Sequence, residues 1–181
     1  MKKRALLLLA DGFEEIEAVA PIDILRRAEV DVAVAAVGGT LSVTGKTGIT
    51  VEADCLLADR RHDAFDALVL PGGPAARSLK ENAEVLDLVR TSFSRGLVVG
   101  AICAAPAVLR EAGVLEGKSY TAHFSVADEL PDIRPEAVVT DGTVITSRGA
   151  GTAVDFALAL VAALRGEEAA SAIAAAICRQ G

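Results

Sequence analysis

Aromatic side chains are scarce in this chain, at 3% of 181 residues with no tryptophan. The 52% hydrophobic content is therefore carried by Ala, Val, Leu and Ile, as a buried parallel sheet wrapped in helices requires. Disorder is not expected. Cysteines are few: Cys55, Cys103 and Cys178 lie far apart with no CxxC spacing, which argues against a disulfide framework or a thiolate zinc site and fits a reducing cytoplasm. Only two histidines are present, His62 and His123, and no cluster of His, Cys and carboxylate offers three ligands at a familiar spacing. No metal and no cofactor are expected. Long apolar runs are also missing. The opening Lys2-Lys-Arg-Ala-Leu-Leu-Leu-Leu-Ala10 starts like a signal peptide, but its apolar run ends after six residues and meets Asp11, Glu14, Glu15 and Glu17, so it reads as a first strand. No membrane span is expected. The formal net charge of −7 removes the electrostatic attraction behind most non-specific nucleic-acid binding, and no such partner is expected. No linker or internal repeat divides the sequence, which reads as one domain over residues 1–181.

What is there is a rhythm. Strand-like runs at Arg4 to Ala10, Asp31 to Val37, Ala67 to Leu70 and Leu97 to Ile102 alternate with helical stretches near Glu14 to Ala28, Ala83 to Ser94 and Ala104 to Ala112. This is the pattern of βαβ units and an open parallel sheet. Thr40 to Asp54 reads as a hairpin-like excursion, and Asp141-Gly142 marks a second hairpin over Val138 to Thr146. An Ala-rich helix from Ala150 to Leu164 stops at Gly166, before a last helix from Glu167 to Ile177.

The most informative segment runs from Gly96 to Leu109. It sets Cys103 where a buried strand turns into a helix, with Pro106 tolerated in the first helical turn. Amides at a helix N-terminus favour a thiolate and stabilise an oxyanion, so Cys103 is a candidate nucleophile. The bland reading is a small core residue. In open α/β sheets the site lies beyond the carboxyl ends of the strands, and two other loops end there. Asp11-Gly-Phe-Glu-Glu-Ile-Glu17 puts three carboxylates in the opening turn of a helix. Glu17 and Glu14 both lie on partly apolar stripes that would raise a pKa, and spacing does not choose between them. Leu70-Pro-Gly-Gly-Pro74 offers the amides of Gly72 and Gly73, which with that of Ala104 form a candidate oxyanion hole. Gly45-Lys46-Thr47 lacks the earlier glycine of a phosphate loop, since residue 40 is Thr40. His62 sits in a charged loop and reads as a surface residue. His123 follows Lys118 to Ala122, a run read as ending a strand, from which it would polarise or deprotonate Cys103.

Together, Ala10-Asp-Gly-Phe-Glu-Glu-Ile-Glu-Ala18, Leu70-Pro-Gly-Gly73, Ala101-Ile-Cys-Ala-Ala-Pro106 and Thr146-Ser-Arg-Gly-Ala-Gly-Thr152 resemble the four signature blocks of the ThiJ/PfpI superfamily, nearest its parkinsonism-associated deglycase (DJ-one) branch. The resemblance runs from about Lys3 to Gly166. It implies a flavodoxin-like three-layer α/β sandwich of the class I glutamine amidotransferase type, with a mostly parallel sheet and a nucleophile elbow, and a homodimer. It also implies roles: Cys103 as nucleophile, Glu17 as the protonated carboxyl bonded to its sulfur, Gly73 and Ala104 as oxyanion donors, and His123 as the nearby histidine. Asp23, Arg27 and Arg148 would brace the site or a dimer contact. Ala104 stands where peptidases and faster glyoxalases of the superfamily carry histidine, and Ser147-Arg-Gly-Ala-Gly151 lacks the His and Glu of glutamine amidotransferases. Both of those activities are disfavoured.

The function so implied is a cysteine-dependent, cofactor-independent glyoxalase or deglycase. Its substrates would be methylglyoxal-type 2-oxoaldehydes, or their early adducts with protein or nucleotide amines and thiols. The alternative is an oxidative-stress sensor or redox-regulated chaperone that uses oxidation of the same cysteine.

Overall fold

A computed structural model describes residues 2–60 and 63–179; the reading of His62 falls outside them. Nine strands are described: β1 (Arg4–Leu9), β2 (Asp31–Ala36), β3 (Ser42–Thr44), β4 (Thr50–Glu52), β5 (Cys55–Leu56), β6 (Ala67–Leu70), β7 (Val98–Ile102), β8 (Val138–Asp141) and β9 (Val144–Ser147). Seven form one sheet in the order β5-β2-β1-β6-β7-β9-β8, and β3 and β4 make a separate hairpin. Every pair in the large sheet is parallel except β8 with β9, which the Asp141-Gly142 turn joins. β1 from Ala5 onward and the whole of β6 are unbroken apolar runs because helices cover both faces of the sheet.

The helices are α1 (Glu15–Arg27), α2 (Leu57–Arg60), α3 (Ala75–Glu81), α4 (Ala83–Ser94), α5 (Pro106–Glu111), α6 (Ala153–Arg165) and α7 (Glu167–Ala176). α1, α6 and α7 pack together, as do α3, α4 and α5, giving a flavodoxin-like three-layer α/β sandwich. Gly100 lets α6 approach closely: a Cβ there would lie 2.9 Å from Leu160 and 3.0 Å from Phe156.

The chain leaves β1 outward through β2 and β5, then returns to the other side of β1 with β6 and β7. The order thus reverses between β1 and β6, and loops leaving the carboxyl ends of the two strands part there into a crevice. The register of Leu70 with Ala101 and of Ile102 with Ser147 brings the ends of β6, β7 and β9 level beside it.

Four expectations need correction. α5 begins at Pro106 and not Ala104, because Cys103 has left helical backbone space. The stretch before α6 is a 3₁₀ turn over Ala150–Thr152. Lys118 to Ala122 forms no strand; Tyr120 makes one isolated bridge to Ile133, and the Thr121 amide donates to Thr146 Oγ1 at 2.9 Å. Finally, α3 stands where the sequence showed only a turn, and no side chain caps it to announce it.

Candidate active site

The site is built around a backbone distortion. Cys103 has φ of +66°, a conformation that only two other non-glycine residues share among those described, and which costs about 1–3 kcal/mol. Hydrogen bonds from two distant segments hold it. Its amide donates to the Ser147 carbonyl at 2.8 Å, and its carbonyl accepts from the His123 amide at 2.8 Å. The half-buried sulfur accepts hydrogen bonds from the amides of Gly73 and Ala104.

The structure separates Glu14 from Glu17, which spacing left undecided, and gives Glu15 a third role. Glu14 is the N-cap of α1, its carboxylate accepting from the Glu17 amide at 2.8 Å. Glu15 turns to the β3–β4 hairpin, where its Oε1 accepts from the Thr47 amide at 2.7 Å and the Thr47 hydroxyl at 2.5 Å. Glu17 alone reaches Cys103, with which its carboxyl group shares a hydrogen bond. It is 1% exposed, and its Oε2 accepts from the Gly72 amide at 2.9 Å.

Burial dominates the electrostatics of this pair. It raises the Glu17 carboxyl from 4.5 to about 7, against the pull of its hydrogen bond to Cys103 and with added repulsion from Glu14. Burial, then the charge of Glu17 and the hydrogen bond to it, push the Cys103 thiol up to about 12, while the Gly73 and Ala104 amides pull it down. The amides thus act in the direction expected of a helix N-terminus, but burial and Glu17 outweigh them. The two groups titrate as a unit that above about pH 7 holds one proton and one negative charge between oxygen and sulfur.

The glycine loop is dictated by space. A Cβ on Gly72 would lie 2.7 Å from Cys103 Cβ and 2.8 Å from Glu17 Oε2. Gly73 has φ of +84°, and a Cβ on it would meet the Gly12 carbonyl at 2.5 Å. The expected oxyanion trio is corrected by one member: the Gly72 amide is committed to Glu17, leaving those of Gly73 and Ala104 facing the sulfur.

His123 lines the cleft, but its ring Nδ1 pairs with Ser125 Oγ at 2.8 Å, and its bond to Cys103 is through the main chain. Asp23 and Arg27 pair with each other at 2.8 Å on the exposed side of α1. Arg148 is exposed and donates to the Pro135 carbonyl at 3.0 Å. None of these three lines the cleft, so of the two roles expected for them, bracing the site or a dimer contact, direct contact with the cleft is not the one they have in this fold. The Ser-Arg-Gly block enters the site through its next residue, which the sequence reading passed over. A Cβ on Gly149 would lie 3.4 Å from His123 Cδ2 and 4.0 Å from the Cys103 sulfur. A glycine inside a quoted block was the available signal.

The sulfur opens into a cleft of about 790 Å³, walled by the β1–α1 loop, α3, the start of α5 and the segment after His123. Among the described residues, no three His, Cys, Asp or Glu side chains converge to hold a metal ion, and no helix is long and apolar enough to cross a membrane.

With this geometry in hand, comparison with known proteins is specific. The DJ-1/PfpI family model matches residues 3–163. The chain is 42% identical to the fruit-fly (Drosophila melanogaster) protein dj-1beta over 93% of this chain and 92% of that one. It superposes on the crystal structure of Drosophila melanogaster DJ-1beta with a TM-score of 0.96 at 39% identity, covering 100% of both chains. A Caenorhabditis elegans relative named glutathione-independent glyoxalase DJR-1.2 is 34% identical over 98% of this chain and 97% of its own. A Pyrococcus abyssi relative named a deglycase is 36% identical over 82% and 91%.

Proposed function

Because the chain belongs to the DJ-1/PfpI family, we propose that it is a glyoxalase/deglycase that uses Cys103 as a nucleophile toward methylglyoxal-type 2-oxoaldehydes or their early adducts. The relatives named glyoxalase and deglycase support this reading. The observation that carries it is the hydrogen bond between the Glu17 carboxyl and the Cys103 sulfur at the floor of an open cleft.

With methylglyoxal, the sulfur adds to the aldehyde carbon while a proton reaches its oxygen, giving a hemithioacetal. Glu17 takes the proton from that carbon and returns one to the neighbouring carbon, converting the adduct to the thioester of a 2-hydroxy acid. Water then cleaves the thioester, releasing lactate and restoring the thiol, so the sum is methylglyoxal plus water to lactate. In this reading the Gly73 and Ala104 amides, which donate toward the sulfur, stabilise oxyanions in the first and last steps. Deglycation uses the same sulfur but begins with a carbonyl already bonded to an amine or thiol. In the test, Cys103→Ser abolishes lactate formation from methylglyoxal, and turnover at the wild-type rate in that variant rejects the reading.

A second reading rests on the same half-open sulfur: oxidation of Cys103 to a sulfinate, for stress sensing or redox-regulated chaperone action. Mild peroxide followed by mass spectrometry then finds dioxygenation at Cys103 ahead of Cys55 and Cys178. Equal oxidation of all three counts against it. Self-association as a homodimer is part of the proposal. Ile16 and Val19 of α1 and Ile49 of the hairpin are exposed apolar side chains that a second copy would cover, and sedimentation tests it.

A further inference from the structure

Lys46 stands at the tip of the β3–β4 hairpin and lines the cleft beside Glu17, whose carboxyl pKa its charge lowers. The hairpin is laced to the loop that opens α1. The Lys46 amide donates to the Phe13 carbonyl at 2.9 Å, the Thr44 amide to Asp11 Oδ1 at 2.9 Å, and the Thr47 amide to Glu15 Oε1 at 2.7 Å. The backbone that carries Lys46 is thereby tethered to the same short segment that sets Glu17.

The other cations of the cleft are matched. Lys80 pairs with Glu129 at 2.5 Å, and Arg77 with Glu81 at 3.3 Å. Those two pairs cancel, which leaves Lys46 as the cation of the cleft outside a salt bridge, beside the carboxyl groups of Glu14 and Glu17 on its inner side. Among the described residues Lys46 forms no salt bridge; the charge it acts on is that of Glu17, deeper in the cleft. A cleft of about 790 Å³ is also far larger than a three-carbon oxoaldehyde and of the size that holds a larger ligand.

We propose that Lys46 is a specificity-determining residue, which makes the cleft favour reactive carbonyl substrates bearing an anionic group, a carboxylate or a phosphate, over neutral methylglyoxal. This rests on the reading of Cys103 as the group that attacks the carbonyl. An ammonium group outside any salt bridge attracts an anion and supplies three donors to its oxygens. The anion would be held away from the sulfur while the carbonyl end of the same molecule reaches it.

The test needs no turnover. Cys103 is alkylated with anionic iodoacetate and, separately, with neutral iodoacetamide, and the two rates are read by mass spectrometry of the Cys103 peptide. The ratio of iodoacetate to iodoacetamide rates falls about fivefold in Lys46→Gln, as expected for loss of one solvent-exposed charge interaction, and returns in Lys46→Arg. A ratio that is the same in all three proteins overturns the proposal. Because alkylation requires only a reactive thiol, a protein that fails to make lactate still answers this question, so the two readings fail separately. In a second arm, kcat/KM is measured for a carboxylate-bearing and a phosphate-bearing 2-oxoaldehyde, each relative to methylglyoxal. The larger relative drop in Lys46→Gln identifies the anion, and no drop for either overturns the selectivity.

Discussion

His123 holds Cys103 by its main chain: the His123 amide donates to the Cys103 carbonyl at 2.8 Å, while its imidazole Nδ1 faces Ser125 Oγ at 2.8 Å. Any residue but proline at position 123 can supply that amide, so the ring is less important than the acid across the cleft. His123→Asn, which keeps a side-chain acceptor for the Ser125 amide, lowers kcat/KM for methylglyoxal by about tenfold or less. Glu17→Ala lowers it by roughly 100-fold or more, the scale of a lost general acid–base group. Equal losses in steady-state assays would reverse the assignment.

The pH dependence follows from the shared proton. The Glu17–Cys103 pair gains its negative charge as pH rises through about 7, and that form is the nucleophilic one. Alkylation of Cys103 by iodoacetamide therefore accelerates through about pH 7 in the wild type. In Glu17→Gln the step at that pH disappears and the remaining titration is that of the thiol. A rate profile with the same midpoint in both proteins contradicts the coupling.

Stability carries the opposite sign. Glu17 is raised from 4.5 to about 7 in the folded protein, so between those values the native chain keeps a proton that the unfolded chain has lost. Stability is fully present below about pH 4.5 and falls as pH rises to about 7, by roughly 3 kcal/mol from this group. Glu17→Gln removes that slope. Urea unfolding at a series of pH values measures it, and parallel curves for the two proteins would show that burial of Glu17 carries no such cost.

The elbow reverses an ordinary ranking. Glycine is usually less stable than alanine at an ordered position by about 0.5–1 kcal/mol. At Cys103, where φ is +66°, alanine keeps the strain and glycine relieves it. Cys103→Gly is expected to exceed Cys103→Ala in stability by about 1 kcal/mol, with both inactive. Denaturant midpoints decide, and the usual order would mean that the turn is not strained.

Two glycines near the sulfur differ in what they tolerate. Gly149→Ala adds a methyl at ordinary contact distance from His123, Glu17 and Cys103. It keeps stability within about 1 kcal/mol but narrows the approach to the sulfur and raises KM. Gly72→Ala forces atoms to within 2.8 Å of both Cys103 and Glu17 and destabilises by about 2 kcal/mol or more. Comparing KM and unfolding free energy for the pair tests the distinction.

Much of the architecture was legible along the chain. β6 and α4 fall at the boundaries read from the apolar pattern, and the Asp141-Gly142 turn joins β8 to β9 as its residues require. α3 was not legible, since a Pro-Gly-Gly-Pro run reads as a turn and the seven-residue helix after it has no capping side chain. The site divides in the same way. Cys103 at a strand end and the glycine loop were visible, and Glu17 was singled out from Glu14 by the resemblance of its block though not by spacing, whereas the commitment of the Gly72 amide and the entry of Gly149 were not visible.

The local order of residues determined the alternation of strands and helices, the place of the cysteine and the need for small residues beside it, because periodicity and turn chemistry act over a few positions. Periodicity could not say which carboxyl group meets the sulfur; only the folded sheet brings Glu17 to it and makes the two groups share a proton. Those relations depend on the register of β6 with β7 and of β7 with β9, contacts between segments tens of residues apart that no local pattern encodes. Burial then set the ionisation of the pair, and burial exists only once the layers have closed over it.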